Sequence, residues 1–192
     1  MVEKAFIILG LTRPRGPKRP KGRTRYEALL PNQIWHVDIH FLNKRRSELL
    51  YGVIDDCTRM VLEWQHLSSK HANQTVKVIE RAIKRFGPPH TIWSDNGGEN
   101  RGEFLQAMRC KGIRNVYIVP HCPYQNGKIE RLWPNIENRN LTWSKIQSWV
   151  NSYSSKPHAA LPTRLLNGRK INYSPNELWM KGPIWRPGMP AK

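Results

Sequence analysis

From Ile34 onward apolar and polar residues alternate, with Trp35, Val37, Ile39 and Phe41 on one face of an extended chain and His36, Asp38 and His40 on the other. That pattern predicts a strand with one buried side. Residues 49–54 and 60–64 are two further β-rich runs, separated by the turn-forming stretch Asp55-Asp56-Cys57-Thr58-Arg59. They predict a hairpin, and so three consecutive antiparallel strands. Val76, Ile79, Ile83 and Phe86 then recur at helical spacing, and Gly87-Pro88-Pro89 stops the run because neither proline can continue the hydrogen-bond ladder. A helix over 73–86 is the expectation. It is followed by a short strand at 91–94, an Asn- and Gly-rich loop, a helix near 102–111 and a last strand over the apolar run 116–119. After Pro123 a further helix carries Ile129, Leu132, Trp133 and Ile136 as an i, i+3, i+4, i+7 stripe. Beyond about residue 140 the pattern predicts only a helix near 143–152 and a loop-rich tail holding Pro157, Pro162, Pro175, Pro183 and Pro187. The order βββαβαβα implies an α/β fold, a mixed sheet with helices on both faces.

The 192 residues suffice for one domain with a real core, and 39% hydrophobic with 24% charged residues is globular composition. Charge changes the picture more. Lys and Arg number 32 against 14 Asp and Glu, a formal net charge of +18, which points to a polyanionic partner, nucleic acid first among them. Seven of those cations, Arg13, Arg15, Lys18, Arg19, Lys21, Arg23 and Arg25, fall among prolines and glycines where no regular element forms. They predict an extended basic arm over residues 1–30, ahead of a core over 31–140 and an extension over 141–192 that packs on it. The alternatives for the arm are a phosphate-tracking strap and a solvated tail or localisation signal. The apolar run 5–11 is too short to span a bilayer and lacks a leader's flanks, so no membrane segment is expected. Cys57, Cys110 and Cys122 are odd in number and form no C-x-x-C pair, which fits a reducing, intracellular compartment and not a zinc site.

In so basic a chain the placing of acids is informative. Asp38 lies mid-strand on the polar face, Asp95 ends the fourth strand just before Asn96-Gly97-Gly98, and Glu130 falls at the border of the late helix's apolar stripe. Strand middle, strand end and helix edge can meet at one point. Carboxylates that converge without an obligatory Lys or Arg call for hard divalent cations, Mg²⁺ or Mn²⁺. Two such ions suit in-line phosphoryl transfer with no Cys, Ser or His nucleophile.

The segments IWHVDIHF, TIWSDNGGEN and PYQNGKIERLW resemble the three signature blocks of the integrase and transposase core with an Asp, Asp, Glu triad, shared by retroviral integrases, retrotransposons and insertion-sequence transposases. Between Asp95 and Glu130 lie 34 residues, close to that family's usual spacing. WVNSYSSKPHAALPTR followed by SPNELW, with Tyr153, Lys156, Pro157 and His158, is similar to the tail behind the core in insertion-sequence transposases and related eukaryotic elements. The resemblance implies a ribonuclease H-like five-stranded mixed sheet flanked by helices. It also implies Mg²⁺ or Mn²⁺ on Asp38, Asp95 and Glu130, DNA end processing and strand transfer, and a homo-multimer on element ends and target DNA. Gln125, Asn126 and Lys128 match the loop that touches DNA in the family.

Other residues have plainer readings. Asn96, Gly97, Gly98 and Glu99 shape the loop behind Asp95. Asp55 and Asp56 suit local turn hydrogen bonds. His36 and His40 flank Asp38 without an assigned role, and Trp35, Trp93 and Trp149 are expected as core or interface anchors. Pro134 cannot donate to the Glu130 carbonyl, so the helix is expected to bend just beyond that acid. A DNA-binding remnant without catalysis and a ribonuclease H-type nuclease stand as alternatives to an active integrase.

Overall fold

The computed structural model describes residues 27–42, 48–119, 125–137 and 142–182. Strands β1 (Ile34–Phe41), β2 (Leu49–Asp55) and β3 (Val61–Leu67) run antiparallel, and β4 (Thr91–Ser94) and β5 (Arg114–Tyr117) add in parallel beyond β1, giving the order β3-β2-β1-β4-β5. This is the mixed five-stranded sheet expected from the sequence. The alternation in β1 sorts the two faces. Trp35 and Val37 join Tyr51, Val53 and Leu62 under helices α1 (Ala72–Phe86) and α2 (Glu103–Cys110), whereas Leu50, Ile54 and Val61 face the opposite layer. That second layer is α3 (Gly127–Glu130), α4 (Trp133–Glu137) and α5 (Trp143–Ser155), which contribute Ile129, Trp133, Ile136, Ile146 and Val150. Every residue of β2 is buried, because helices cover both its faces. Burying each such aliphatic side chain stabilises the fold by roughly 1.5–3 kcal/mol, so the two layers fix the sheet that carries the acids.

Three boundaries depart from the sequence expectation. Strand β5 begins at Arg114 and not at 116, since Gly112 (φ 70°) ends the turn after α2 and Ile113 is buried, while Val119 is 54% exposed. The single helix expected after Pro123 is two short ones: α3 closes at Glu130, and Pro134 sits in the first turn of α4, where its missing N–H costs nothing. The bend expected just beyond Glu130 is this break. The tail expected to be loop contains a hairpin, β6 (Thr163–Leu166) and β7 (Arg169–Asn172), turned by Asn167 (φ 49°) and Gly168 (φ 75°), and helix α6 (Pro175–Lys181). Ser174 and Glu177 close a capping box at the start of α6, and Trp179 packs edge-on against Phe86 of α1.

Candidate active site

Asp38 stands at the middle of β1, opposite Gly52 of β2. A Cβ at Gly52 would lie 2.5 Å from Cη2 of Trp133, so the missing side chain is what lets that indole lie over the sheet. There Trp133 Nε1 donates to Asp38 Oδ2 at 2.8 Å, and the ring of His40 stacks on it with centroids 5.1 Å apart. Burial pushes the Asp38 carboxyl up to about 7; the indole bond opposes the rise, while Asp95 and Glu130 add to it. Asp95 and Glu130 therefore both act on the charge of Asp38 from elements far apart in sequence.

Asp95 follows the carboxyl end of β4, where ligands gather in parallel sheets. Its Oδ1 accepts from the Gly97 N–H and from Asn100 Nδ2, both at 3.1 Å. Asn100 is wholly buried and receives the Tyr51 hydroxyl at 3.2 Å, so a chain of polar contacts runs from the floor of the sheet to Asp95. Tyr117 donates to the Asn100 carbonyl at 2.8 Å and Thr75 to that of Glu99 at 2.8 Å, pinning the short turn Gly98–Asn100. A Cβ at Gly97 would meet the Glu99 carboxylate, so a larger residue there would have to displace that side chain. Burial pushes the Tyr51 hydroxyl well above its usual range, and Glu99, Asp38 and Asp95 push the same way, which keeps it a neutral donor.

Glu130 ends α3 beside fully buried Ile129, and burial raises its carboxyl too. Among the described residues no Lys or Arg pairs with Asp38, Asp95 or Glu130. Nor, among the described residues, is any set of three His, Cys, Asp or Glu side chains already drawn together as a ligand cluster.

The residues expected to touch DNA are placed less uniformly. Arg13, Arg15, Lys18, Arg19, Lys21, Arg23 and Arg25 lie outside the described residues, as does Cys122. Gln125 accepts from the Val119 N–H at 2.8 Å. Asn126 is buried, with its side-chain oxygen 3.0 Å from His36 Nδ1, and Lys128 Nζ pairs with Asp56 Oδ1. His36 Nε2 lies 2.7 Å from that same oxygen, and the Ala28 N–H donates to Asp56 Oδ2 at 2.6 Å. Burial drives Asp56 upward, but the bond from His36 and the charge of Lys128 outweigh it and hold the carboxyl below the usual carboxylate range. Burial and the nearby Arg59 pull the Lys128 ammonium down to about 8 against the pull of Asp56. Asp55 keeps the local role read from the sequence, accepting from Thr58 N–H and Oγ1 at 2.7 and 2.8 Å and from the Asn32 N–H at 2.9 Å. Sequence reasoning gave no role to His36, to Trp133 as a donor or to Asn100 and Tyr51, and it confined Asp56 to its turn. The one local hint was a polar residue two positions before Asp38 on its face.

Among known proteins, the Gag-Pro-Pol polyprotein of squirrel monkey retrovirus is 28% identical over 116 residues, which are 58% of this chain and 6% of that polyprotein. The chain thus spans a small part of the curated relatives it matches. A simian T-cell lymphotropic virus intasome in complex with the PP2A regulatory subunit B56 gamma contains a chain with a TM-score of 0.64 at 22% identity, covering all of this chain and 73% of that one. The HTLV-2 integrase catalytic core domain in complex with magnesium gives 0.56 at 20%, over 75% of this chain and 96% of that one. At such identities the likeness speaks for the fold, which is that of the retroviral integrase catalytic core. Family membership rests on the sequence itself: residues 25–153 match the integrase core domain, and the chain belongs to that family.

Proposed function

We propose that this chain is the catalytic part of a DNA integrase, a polynucleotidyl transferase that processes DNA 3′ ends and joins them to target DNA, with two Mg²⁺ or Mn²⁺ ions held by Asp38, Asp95 and Glu130. The observation that carries the proposal is that, in a chain matching the integrase core domain, the acids set on β1, just after β4 and on α3 have no described Lys or Arg paired with them, while Asp95 and Glu130 both push the Asp38 carboxyl up. The donor set fits hard divalent ions, which take carboxylate oxygens. When bound, such ions activate a water or a 3′-hydroxyl, clamp the scissile phosphate and stabilise the leaving oxygen. The chain's own residues prepare that site. Trp133 holds one oxygen of Asp38, and Gly97 and Asn100 hold one oxygen of Asp95. The +18 charge supplies attraction to the phosphate backbone, with the basic arm and Gln125 as the contacting groups, and the chain acts as a homo-multimer on element ends and target DNA.

The test is nicking and joining of duplex DNA with Mn²⁺ by the intact protein and by Glu130→Gln, with an RNA-DNA hybrid run in parallel. Activity on duplex DNA that disappears in the variant is the expected outcome. Equal rates for the two proteins remove Glu130 from the chemistry, and activity confined to the hybrid makes the protein a ribonuclease H-type nuclease.

A further inference from the structure

Glu130 sits on a helix that cannot hold its own place. Helix α3 has four residues, too few to be stable in isolation, and Pro134 prevents its direct continuation past the acid. Asn126 occupies the N-cap position, where an Asn side chain ordinarily accepts from the helix's first N–H groups, yet it makes no capping bond. Its side chain is spent instead on His36, at 3.0 Å. Lys128, one turn position further on, is spent on Asp56. His36 and Asp56 are in turn bound to each other at 2.7 Å, and Asp56 is anchored by the Ala28 backbone. His36, Asp56 and Asn126 are at most 1% exposed, and the Lys128 side chain is 16% exposed.

The network spans the two segments whose relative position matters. His36 precedes Asp38 by two residues on the same strand face, roughly 7 Å away. Asn126 and Lys128 precede Glu130 by four and two residues, within about one helical turn. We propose that Asp56, His36, Asn126 and Lys128 form a buried clasp that positions Glu130 over Asp38, so that Lys128 and Asn126 serve the site as positioning residues and not as phosphate contacts. This rests on the integrase reading given above and adds to it which residues set the geometry between the acids. A single carboxylate oxygen, Asp56 Oδ1, receives both the ring of His36 and the ammonium of Lys128, so the removal of Asp56 frees strand and helix together.

Asp56→Asn removes the charge at the centre of the clasp, Lys128→Met removes one limb at its more exposed edge, and Lys128→Arg keeps the cation. Three readouts separate positioning from DNA contact: hydrogen exchange at the Ile129 and Glu130 amides, which are bonded to the Asn126 carbonyl, the Mn²⁺ concentration that half-saturates the thermal shift, and kcat against KM for duplex DNA. In Asp56→Asn and Lys128→Met, the α3 amides should exchange at least about 10-fold faster while β2 keeps its protection. Half-saturation by Mn²⁺ should rise and kcat should fall about 10- to 100-fold, the usual effect of losing a residue that orients a metal ligand, with KM within about 2-fold. Lys128→Arg should recover most of both. Unchanged exchange and unchanged Mn²⁺ response, with weaker DNA binding and a salt slope lowered by about 0.9, make Lys128 a phosphate contact and overturn the clasp. An intact protein without any Mn²⁺ response refutes the metal-site reading, and the exchange arm then decides the clasp by itself. If Asp56→Asn loses protection throughout the sheet, Lys128→Met alone carries the decision.

Discussion

Replacing Asp38 by Asn should make the metal-free protein more stable, and more so as pH rises. The side-chain carbonyl of Asn can still accept the Trp133 indole N–H that Asp38 Oδ2 receives at 2.8 Å, so the substitution removes a charge and little else. In the folded chain the Asp38 carboxyl is raised from 3.8 to about 7, chiefly by burial. Between those values the folded state holds a proton that the unfolded chain has released, so wild-type stability falls as pH climbs through the window and is level above it. At 1.36 kcal/mol per pH unit the whole window amounts to roughly 4 kcal/mol, and water reaching the half-buried carboxyl brings this to about 2 kcal/mol. Urea unfolding in EDTA at pH 5 and pH 8 measures it: the advantage of Asp38→Asn should be larger at pH 8 by about 1–2 kcal/mol. Added Mn²⁺ should then stabilise the wild type, by about 2.7 kcal/mol at a hundredfold excess over its dissociation constant, and leave Asp38→Asn nearly unmoved. An advantage that does not grow with pH, or a variant less stable than wild type at pH 8, shows that the Asp38 carboxyl is not raised in the folded chain and refutes the reasoning.

Gly52→Ala should cost about 1–3 kcal/mol by overpacking, because its new Cβ meets the Trp133 ring at 2.5 Å, and thermal unfolding should reveal the loss. Trp133→Phe removes the indole donor to Asp38 and should cost about 2 kcal/mol at pH 8, less at pH 5, where a protonated carboxyl needs the donor less. The shorter Phe ring vacates the space that the Ala methyl invades. The double variant should therefore be less destabilised than the two single losses added, and strict additivity would place the two residues out of contact.

Local periodicity made the sheet and its first helices legible, because β1 and α1 are long enough for a face to repeat and each buries that face against one layer. Asp38 and Asp95 stood out from local signals too, one an acid in mid-strand on the polar face and one preceding a glycine pair that opens the backbone. Where the reading slipped, a louder signal hid a finer one. Five prolines made the tail look irregular, although Asn167-Gly168 between two short β runs and Ser174 three residues before Glu177 are hairpin and capping-box signatures. The apolar run to Val119 drew the last strand two residues too far, since an edge strand leaves such residues exposed.

The clasp was illegible for a deeper reason. Asp56 meets Lys128 across 72 residues, and His36 meets Asn126 across 90, and no period in the sequence links such partners. Asp56 looked like half of an Asp-Asp turn, a reading that its neighbour Asp55 satisfies alone through Thr58 and Asn32. A carboxylate kept ionised in a fully buried place must be compensated by cations and donors from somewhere, and here they come from the strand that carries Asp38 and the helix that carries Glu130. A change at Asp56 or Gly52 would leave all three acids in the sequence and still displace one of them. On the proposed function, activity would then depend on the polar and packing contacts that hold the acids as much as on the acids themselves.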